Sequence, residues 1–455
     1  MVRAPHLIAA LEAAVGPRHV VTDPDVMAAY TRDWTGAFEG VALAVVRPAS
    51  AAEVAAVVDA CVSSSAPLVP QGGNTGLVGG SVPGATPAVV LSTRGLASLG
   101  DVDPIGGQVT VGAGATLEAV QAHARAAGFE VPVDLAARGS ATIGGMTATN
   151  AGGVHVMRYG TMRRNVAGIE AVTGDGRVLS HLTGLEKDNT GYDLAALLCG
   201  SEGTLGVVTA VRLRLVPTAP YRVTALLALP DLSAAVATLA RLRAAVDGLE
   251  AAEYFVREGL ELVRSRFGLA GPFARAHGAY LLVEAAGARD PTDALTPALA
   301  SASEVEDAAV ATGGRRREEL WQLRDLHTEA VASVGVPRKF DVTVPVALVP
   351  EFVAGACALA EAAGATVHHW GHLGDGNVHF NALGLGPEPE TLDGPLLALV
   401  AEMGGSISAE HGIGRLKRPW LHLSRSPQEI AVFRAVKAAL DPAGILNPEV
   451  LLPGV

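Results

Sequence analysis

His372 and His379 flank an Asp-Gly pair in His368-His369-Trp370-Gly371-His372-Leu373-Gly374-Asp375-Gly376-Asn377-Val378-His379-Phe380-Asn381. Glu410-His411 follows in Ser406-Ile407-Ser408-Ala409-Glu410-His411-Gly412-Ile413-Gly414-Arg415. Asp-Gly between two alternating runs signals a hairpin, because glycine accepts the positive φ of a two-residue turn. With the turn at Asp375-Gly376, strand partners carry numbers summing to 751. His372 then faces His379 with Cβ atoms roughly 5 Å apart, and the strand period of two adds Trp370 and Asn381 to the same face. Two imidazoles so placed can share a metal, with Glu410 as third ligand and His411 beside it as a base. A single histidine in an apolar strand is more often a hydrogen-bonded core or surface residue, but three ligands in this pattern favour the metal. The set alone fits a hydrolytic zinc site, a non-haem iron oxygenase or an ion that polarises a substrate.

The elements that position these residues come in two styles. Up to about residue 217, short β-branched runs alternate with Ala-rich helices and glycine turns. A strand at 41–47 precedes a helix at 51–63, and the strand at 67–70 opens into Gln71-Gly72-Gly73-Asn74-Thr75-Gly76-Leu77-Val78-Gly79-Gly80. Such a loop exposes backbone N–H groups and can cradle a pyrophosphate; it lacks the Gly-Lys-Ser/Thr of a Walker loop. Small residues and hydroxyls recur over 139–153 and in Gly200-Ser201-Glu202-Gly203-Thr204-Leu205-Gly206, so three segments point to a dinucleotide laid against backbone. Gly112-Ala113-Gly114-Ala115-Thr116-Leu117 imitates a Rossmann fingerprint, but Leu117 replaces the third glycine, and it reads as an ordinary strand-to-helix turn. A boundary falls near Pro217-Thr218-Ala219-Pro220. Beyond it the pattern gives strands at 221–229, 279–285 and 339–346 and helices at 232–246 and 316–333, an antiparallel sheet covered by helices.

A chain of 455 residues supports two or three domains. A net charge of -12 argues against nucleic-acid binding, and an anionic substrate would need local positive charge at its site. No apolar run nears the ~18 residues of a membrane span, and Met1-Val2-Arg3-Ala4-Pro5-His6 starts no secretory signal, which reads as a cytoplasmic protein. Cys61, Cys199 and Cys357 are scattered and cannot hold an iron–sulfur cluster, so any electron relay belongs to a partner.

Taken together, Pro70 to Gly80, Gly144-Gly145, Lys187-Asp188-Asn189-Thr190-Gly191-Tyr192-Asp193, Gly200 to Gly206, Gly371 to His379 and Ala409-Glu410-His411-Gly412 resemble the FAD-linked D-2-hydroxyacid dehydrogenases of the vanillyl-alcohol oxidase flavoprotein superfamily, in order and over residues 20–452. The resemblance is strongest to the branch that oxidises 2-hydroxyglutarate. It implies an α+β fold: a vanillyl-alcohol-oxidase-type FAD-binding domain of two subdomains over 1–217, the second starting near 100, then an α+β cap with an antiparallel sheet over 218–415, and a segment 416–455 returning to the flavin. It implies FAD contacts from Pro70, Gln71, Gly72, Gly73, Asn74, Thr75, Gly76, Gly80 and Ser81, from Pro132, from Thr142, Ile143, Gly144, Gly145, Thr147, Asn150 and Gly153, from Glu202, Gly203, Val207 and Val208, and from Asn447. It also implies a metal on His372, His379 and Glu410, zinc in most members, with manganese, iron or cobalt allowed by ligand chemistry, and a catalytic base at His411.

For the substrate, the resemblance assigns carboxylate contacts to Arg324, Thr328 and Lys339. Arg324 and Thr328 are four apart on the helix expected at 316–333 and so share a face. Without that context a salt bridge for Arg324 and a solvated strand end for Lys339 are the ordinary readings. Asn381, on the face of His379, adds a hydrogen bond. The expectation is two-electron oxidation of a D-2-hydroxy acid, 2-hydroxyglutarate first, with D-lactate or glycolate as the alternative. Electrons leave to an external acceptor such as an electron-transfer flavoprotein, a quinone or a cytochrome. FAD is expected to be non-covalent, His155 being the one residue placed to question that, and the oligomeric state is open, a homodimer included. Two other classes compete. A metal hydrolase leaves the glycine loops unexplained, and a non-catalytic flavin subunit leaves the metal set unexplained.

Overall fold

The computed structural model describes residues 4–386 and 391–453, so Met1–Arg3 of the N-terminal stretch read above lie outside it. The chain divides into two compact units, one of residues 1–153, 160–218 and 410–455 and one of 154–159 and 219–409.

The first unit holds two larger sheets and a two-stranded one that pairs Val216–Pro217 with Phe129–Glu130. In one, Val20–Val21, Ala42–Val46, Ala88–Ser92 and Leu68–Gln71 lie side by side, the last three parallel. All five residues of the central strand Ala88–Ser92 are buried, which is why it reads as an unbroken apolar run without alternation. The helix Ala51–Ser64 covers this sheet through Val54, Val57, Val58 and Cys61; Ser50 caps it by accepting from Glu53 N–H. Near the C-terminus, Ile445 and Leu446 enter the same core, and Leu446 bridges Leu68 in parallel. The second sheet is antiparallel, in the order Leu99–Asp103, Gln108–Gly112, Val207–Arg214, Val166–Val172, Val178–His181. Gly112 to Leu117 is a strand-to-helix turn, with Thr116 capping the helix Leu117–Ala126.

The second unit is built on seven strands, every pairing antiparallel, in the order Asp307–Ala311, Tyr221–Leu229, Ala279–Gly287, Leu249–Val256, Thr366–His372, Asn377–Leu383, Arg338–Thr343. One face packs Leu226, Phe255, Leu282 and Trp370 against Leu320, Leu323 and Val331 from helices. The single helix expected over 316–333 is two, Gly314–Asp325 and His327–Ala332, because Leu326 turns out of helical geometry at ψ 0. No described helix is long and apolar enough to cross a membrane.

Candidate metal and flavin sites

Within the second unit the hairpin forms, but not in the expected register. Trp370 pairs with His379 and His368 with Asn381, so partner numbers sum to 749 and not 751. The cause is the turn. Leu373–Gly376 forms a four-residue connection in which His372 O accepts from both Asp375 N–H (3.2 Å) and Gly376 N–H (3.1 Å), and Gly374 N–H is drawn to Ala252 O (3.0 Å). A slip of two preserves the face. His372 and His379 therefore remain neighbours, diagonal and not directly opposite. Their Nε2 atoms are 3.3 Å apart, with ring centroids 5.1 Å apart and ring planes at 84°.

Two carboxylates that sequence reasoning missed aim this pair. Glu253 lies across from His372 on the next strand, and its Oε1 is 2.7 Å from His372 Nδ1. Asp341 lies across from His379, with Oδ1 3.5 Å from His379 Nδ1, and is itself held by Asn377 Nδ2 at 2.9 Å. Burial works against ionisation of Glu253, but attraction from His372 and Arg324 outweighs it and holds the carboxyl below its usual range. With Glu253 at the Nδ1 of His372 and Asp341 near that of His379, the two Nε2 atoms face each other, close enough to serve one cation. By the chemistry of this donor set, the residues fit a divalent metal. The sequence signal for Glu253 was a charge that recurs with Glu250 in the otherwise apolar run Leu249–Val256.

Arg324 is buried, and its Nε and Nη2 each lie 2.8 Å from Glu253 Oε2. The salt bridge is thus its observed state. Thr328 does not share its face: the break at Leu326 puts Thr328, exposed, on the following helix. Lys339 pairs in register with Asn381, beside Asp341 and His379, and burial lowers its ammonium pKa. His155 belongs to the second unit, its Nε2 3.9 Å from Glu250. Glu250 and the nearby Glu284 are neutralised by Arg158, Arg222 and Arg317, a buried ion network.

Glu410 and His411 open the segment that belongs to the first unit, since the border between units falls at the Ala409–Glu410 bond. There Glu410 Oε1 accepts from Gly153 N–H at 2.5 Å.

The glycine segments of the first unit pack backbone on backbone. A Cβ built at Gly72 would stand 2.3 Å from Thr142 Oγ1, and one at Gly73 1.9 Å from Ser140 O. Among the described residues, the backbone N–H groups from Gly73 to Gly76 donate to no protein acceptor, although the loop is only half exposed. Four adjacent unspent donors fit a pyrophosphate. Asn74, Asn150, Glu202 and Asn447 all hold left-handed backbone at φ 43–55. Their side chains brace the cradle. Asn74 Oδ1 accepts from Ser81 Oγ, Asn150 Oδ1 from Arg163 N–H, and Asn447 Nδ2 donates to Gly80 O and Glu202 O. Gln71 Nε2 likewise ties Tyr30 O to Ser81 O. Thr142 caps the helix Ile143–Thr149 that carries Gly144, Gly145 and Thr147; Pro70 lies within the strand Leu68–Gln71, Pro132 comes after Phe129–Glu130, and Val207 and Val208 start the strand Val207–Arg214.

Comparison with known proteins gives the family. The FAD binding domain family matches residues 42–181, and the C-terminal domain of FAD linked oxidases matches residues 218–451. The chain belongs to the FAD-linked oxidases and is an FAD-dependent oxidoreductase. Among its relatives are the mitochondrial D-2-hydroxyglutarate dehydrogenase of Bos taurus, 39% identical over 98% of this chain and 83% of that one, and the D-2-hydroxyglutarate dehydrogenase of Xanthomonas citri pv. viticola, 40% identical over 97% and 96%. The fold is shared with p-cresol methylhydroxylase (TM-score 0.77, 16% identity, 97% of this chain and 95% of that one) and with alkyldihydroxyacetonephosphate synthase (0.76, 17%, 98% and 84%). It is an α+β architecture in two compact units.

Proposed function

We propose that this protein oxidises a D-2-hydroxy acid, D-2-hydroxyglutarate before others, to the 2-oxo acid and hands the electrons to a separate acceptor, an electron-transfer flavoprotein, quinone or cytochrome. The observation that carries the reading is the converging His372–His379 pair with Glu253 and Asp341 behind it, in a chain whose relatives bear that dehydrogenase name. A divalent ion on His372, His379 and Glu410, zinc in the first instance, supplies Lewis-acid polarisation of the hydroxyl, and FAD held non-covalently by the glycine segments supplies the hydride acceptor.

The remaining roles fall to side chains. His411 takes the hydroxyl proton, a contribution typically of about 10²–10⁴ in rate. Asn381 and Lys339, in one register row beside His379, hold substrate polar groups. Burial weakens Lys339 as a cation until a carboxylate restores its charge. Arg324 has Nε and Nη2 on Glu253, which leaves Nη1 to reach a carboxylate.

That commitment of Arg324 also favours a second reading. With its charge balanced by Glu253, Arg324 has less to offer a second carboxylate, which suits a monocarboxylate such as D-lactate or glycolate. Anaerobic bleaching of the flavin bands, near 370 and 450 nm as roughly in free flavin, by a panel of D- and L-hydroxy acids decides between them. Fastest bleaching by D-2-hydroxyglutarate supports the first reading, fastest bleaching by D-lactate or glycolate the second, and no bleaching by any hydroxy acid overturns both.

A further inference from the structure

Glu202 sits in the first unit with its backbone in the left-handed region at φ 52, followed by Gly203 at φ 71. Asparagine tolerates that region; glutamate has no such ease, so surrounding contacts must impose the conformation. They are visible. Glu202 N–H donates to Ala148 O (2.8 Å), and Glu202 O accepts from Asn447 Nδ2 (2.8 Å). The result aims a buried carboxylate at the segment after His411. Oε1 accepts from Ile413 N–H at 2.8 Å and Oε2 from Gly414 N–H at 2.7 Å. Gly412 lies on the carboxylate at φ 82, where an added Cβ would come within 2.9 Å of the carboxylate carbon.

We propose that Glu202 is a positioning residue that moors the loop carrying His411, and that it acts on catalysis through that loop and not by touching the cofactor. Both oxygens are occupied by backbone N–H groups two and three residues past His411. Further ties fix the same loop. Arg415 and Leu416 N–H both donate to Val78 O (2.8 and 3.2 Å), Arg415 Nε donates to Gly79 O (2.8 Å), and Glu410 accepts from Gly153 N–H on the other side of His411. His411 thus has fixed points before and after it. Among those after it, the Glu202 side chain accepts from two of the loop's backbone N–H groups. Removing it frees two neighbouring amides at once.

The inference rests on His411 being the base, so the test separates the two. In the flavin-loaded protein, amide hydrogen exchange is followed over residues 411–416 together with FAD content and anaerobic flavin reduction. Glu202→Gln keeps the shape but turns a donor toward one amide. It should speed exchange in that segment by about tenfold or more, keep FAD bound, and slow maximal flavin reduction by roughly 10²-fold with little change in KM. Glu202→Asp keeps the charge but is one methylene short and should not restore the rate, whereas a purely electrostatic role would survive it. If the Gln variant does not fold, Gly412→Ala displaces the mooring from the loop side and should give the same local loosening. Unchanged exchange at 411–416, or activity lost only in proportion to FAD, overturns the proposal. A near-normal rate for His411→Asn also overturns the catalytic part, and in that case faster exchange in the Glu202 variants still establishes the mooring.

Discussion

The two units prepare for their ligands by opposite means. In the first, the surface offered is backbone: glycines stacked closely enough that a single Cβ would intrude, four consecutive unspent N–H groups, and side chains that turn inward to brace the loop. In the second, the surface offered is side chain: two imidazoles on a sheet, each aimed by a buried carboxylate. A backbone site should therefore be damaged by adding atoms and a side-chain site by removing them.

The largest expected effect breaks the first half of that contrast. Gly73→Val forces a Cβ against Ser140 O, and we expect purified protein without flavin absorbance, while Asn74→Ala loses only part of it. A yellow Gly73→Val protein would show that the cradle yields. Next, His411→Asn should slow flavin reduction by about 10²–10⁴ while metal and FAD contents stay normal. Removing the carboxylate behind His372 tests the other half: Glu253→Gln should weaken metal binding by roughly 10- to 100-fold, measured by chelator competition, with FAD unchanged. Lys339→Met should narrow the kcat/KM gap between D-2-hydroxyglutarate and D-lactate by about tenfold, or about 1.4 kcal/mol. Equal losses on both substrates would assign Lys339 to the common carboxylate.

A further effect, on stability and not on activity, is one of pH. Burial pushes His327 down to about 3, helped by the Arg324 charge, and His369 down to about 4. Their folded pKa values lie below the unfolded value near 6.5, so protons bind preferentially to the unfolded chain. The stability present above that value is lost as pH falls through it toward 4 and then 3. Between pH 7.5 and 5 each ring should remove about 2 kcal/mol from unfolding free energy in urea. His327→Leu should lose its share of the slope.

Much of this was legible beforehand, and the misses have definite causes. The strand at 221–229 and the helix beginning at Leu232 follow from the apolar pattern, a local signal. The face shared by His372 and His379 also needed only the strand period. The register did not follow, because Asp-Gly suggests the shortest turn and nothing local reveals that Ala252 draws Gly374 into it. The break at Leu326 was hidden by helix formers on both sides. Glu253 was out of reach for another reason: its partners Arg324 and His372 lie 71 and 119 residues away, and only the folded sheet brings them together.

The four-residue turn Leu373–Gly376 also limits how this hairpin can vary in length. Inserting or deleting one residue there reverses the facing of every later side chain on the strand Asn377–Leu383, sending His379 and Asn381 to the far side and Val378 and Phe380 to the near one. Two residues would shift the imidazoles along the ladder without turning either away. The hairpin thus accepts length changes by parity, and an odd change would remove a proposed metal ligand while leaving the rest of the motif's residues untouched.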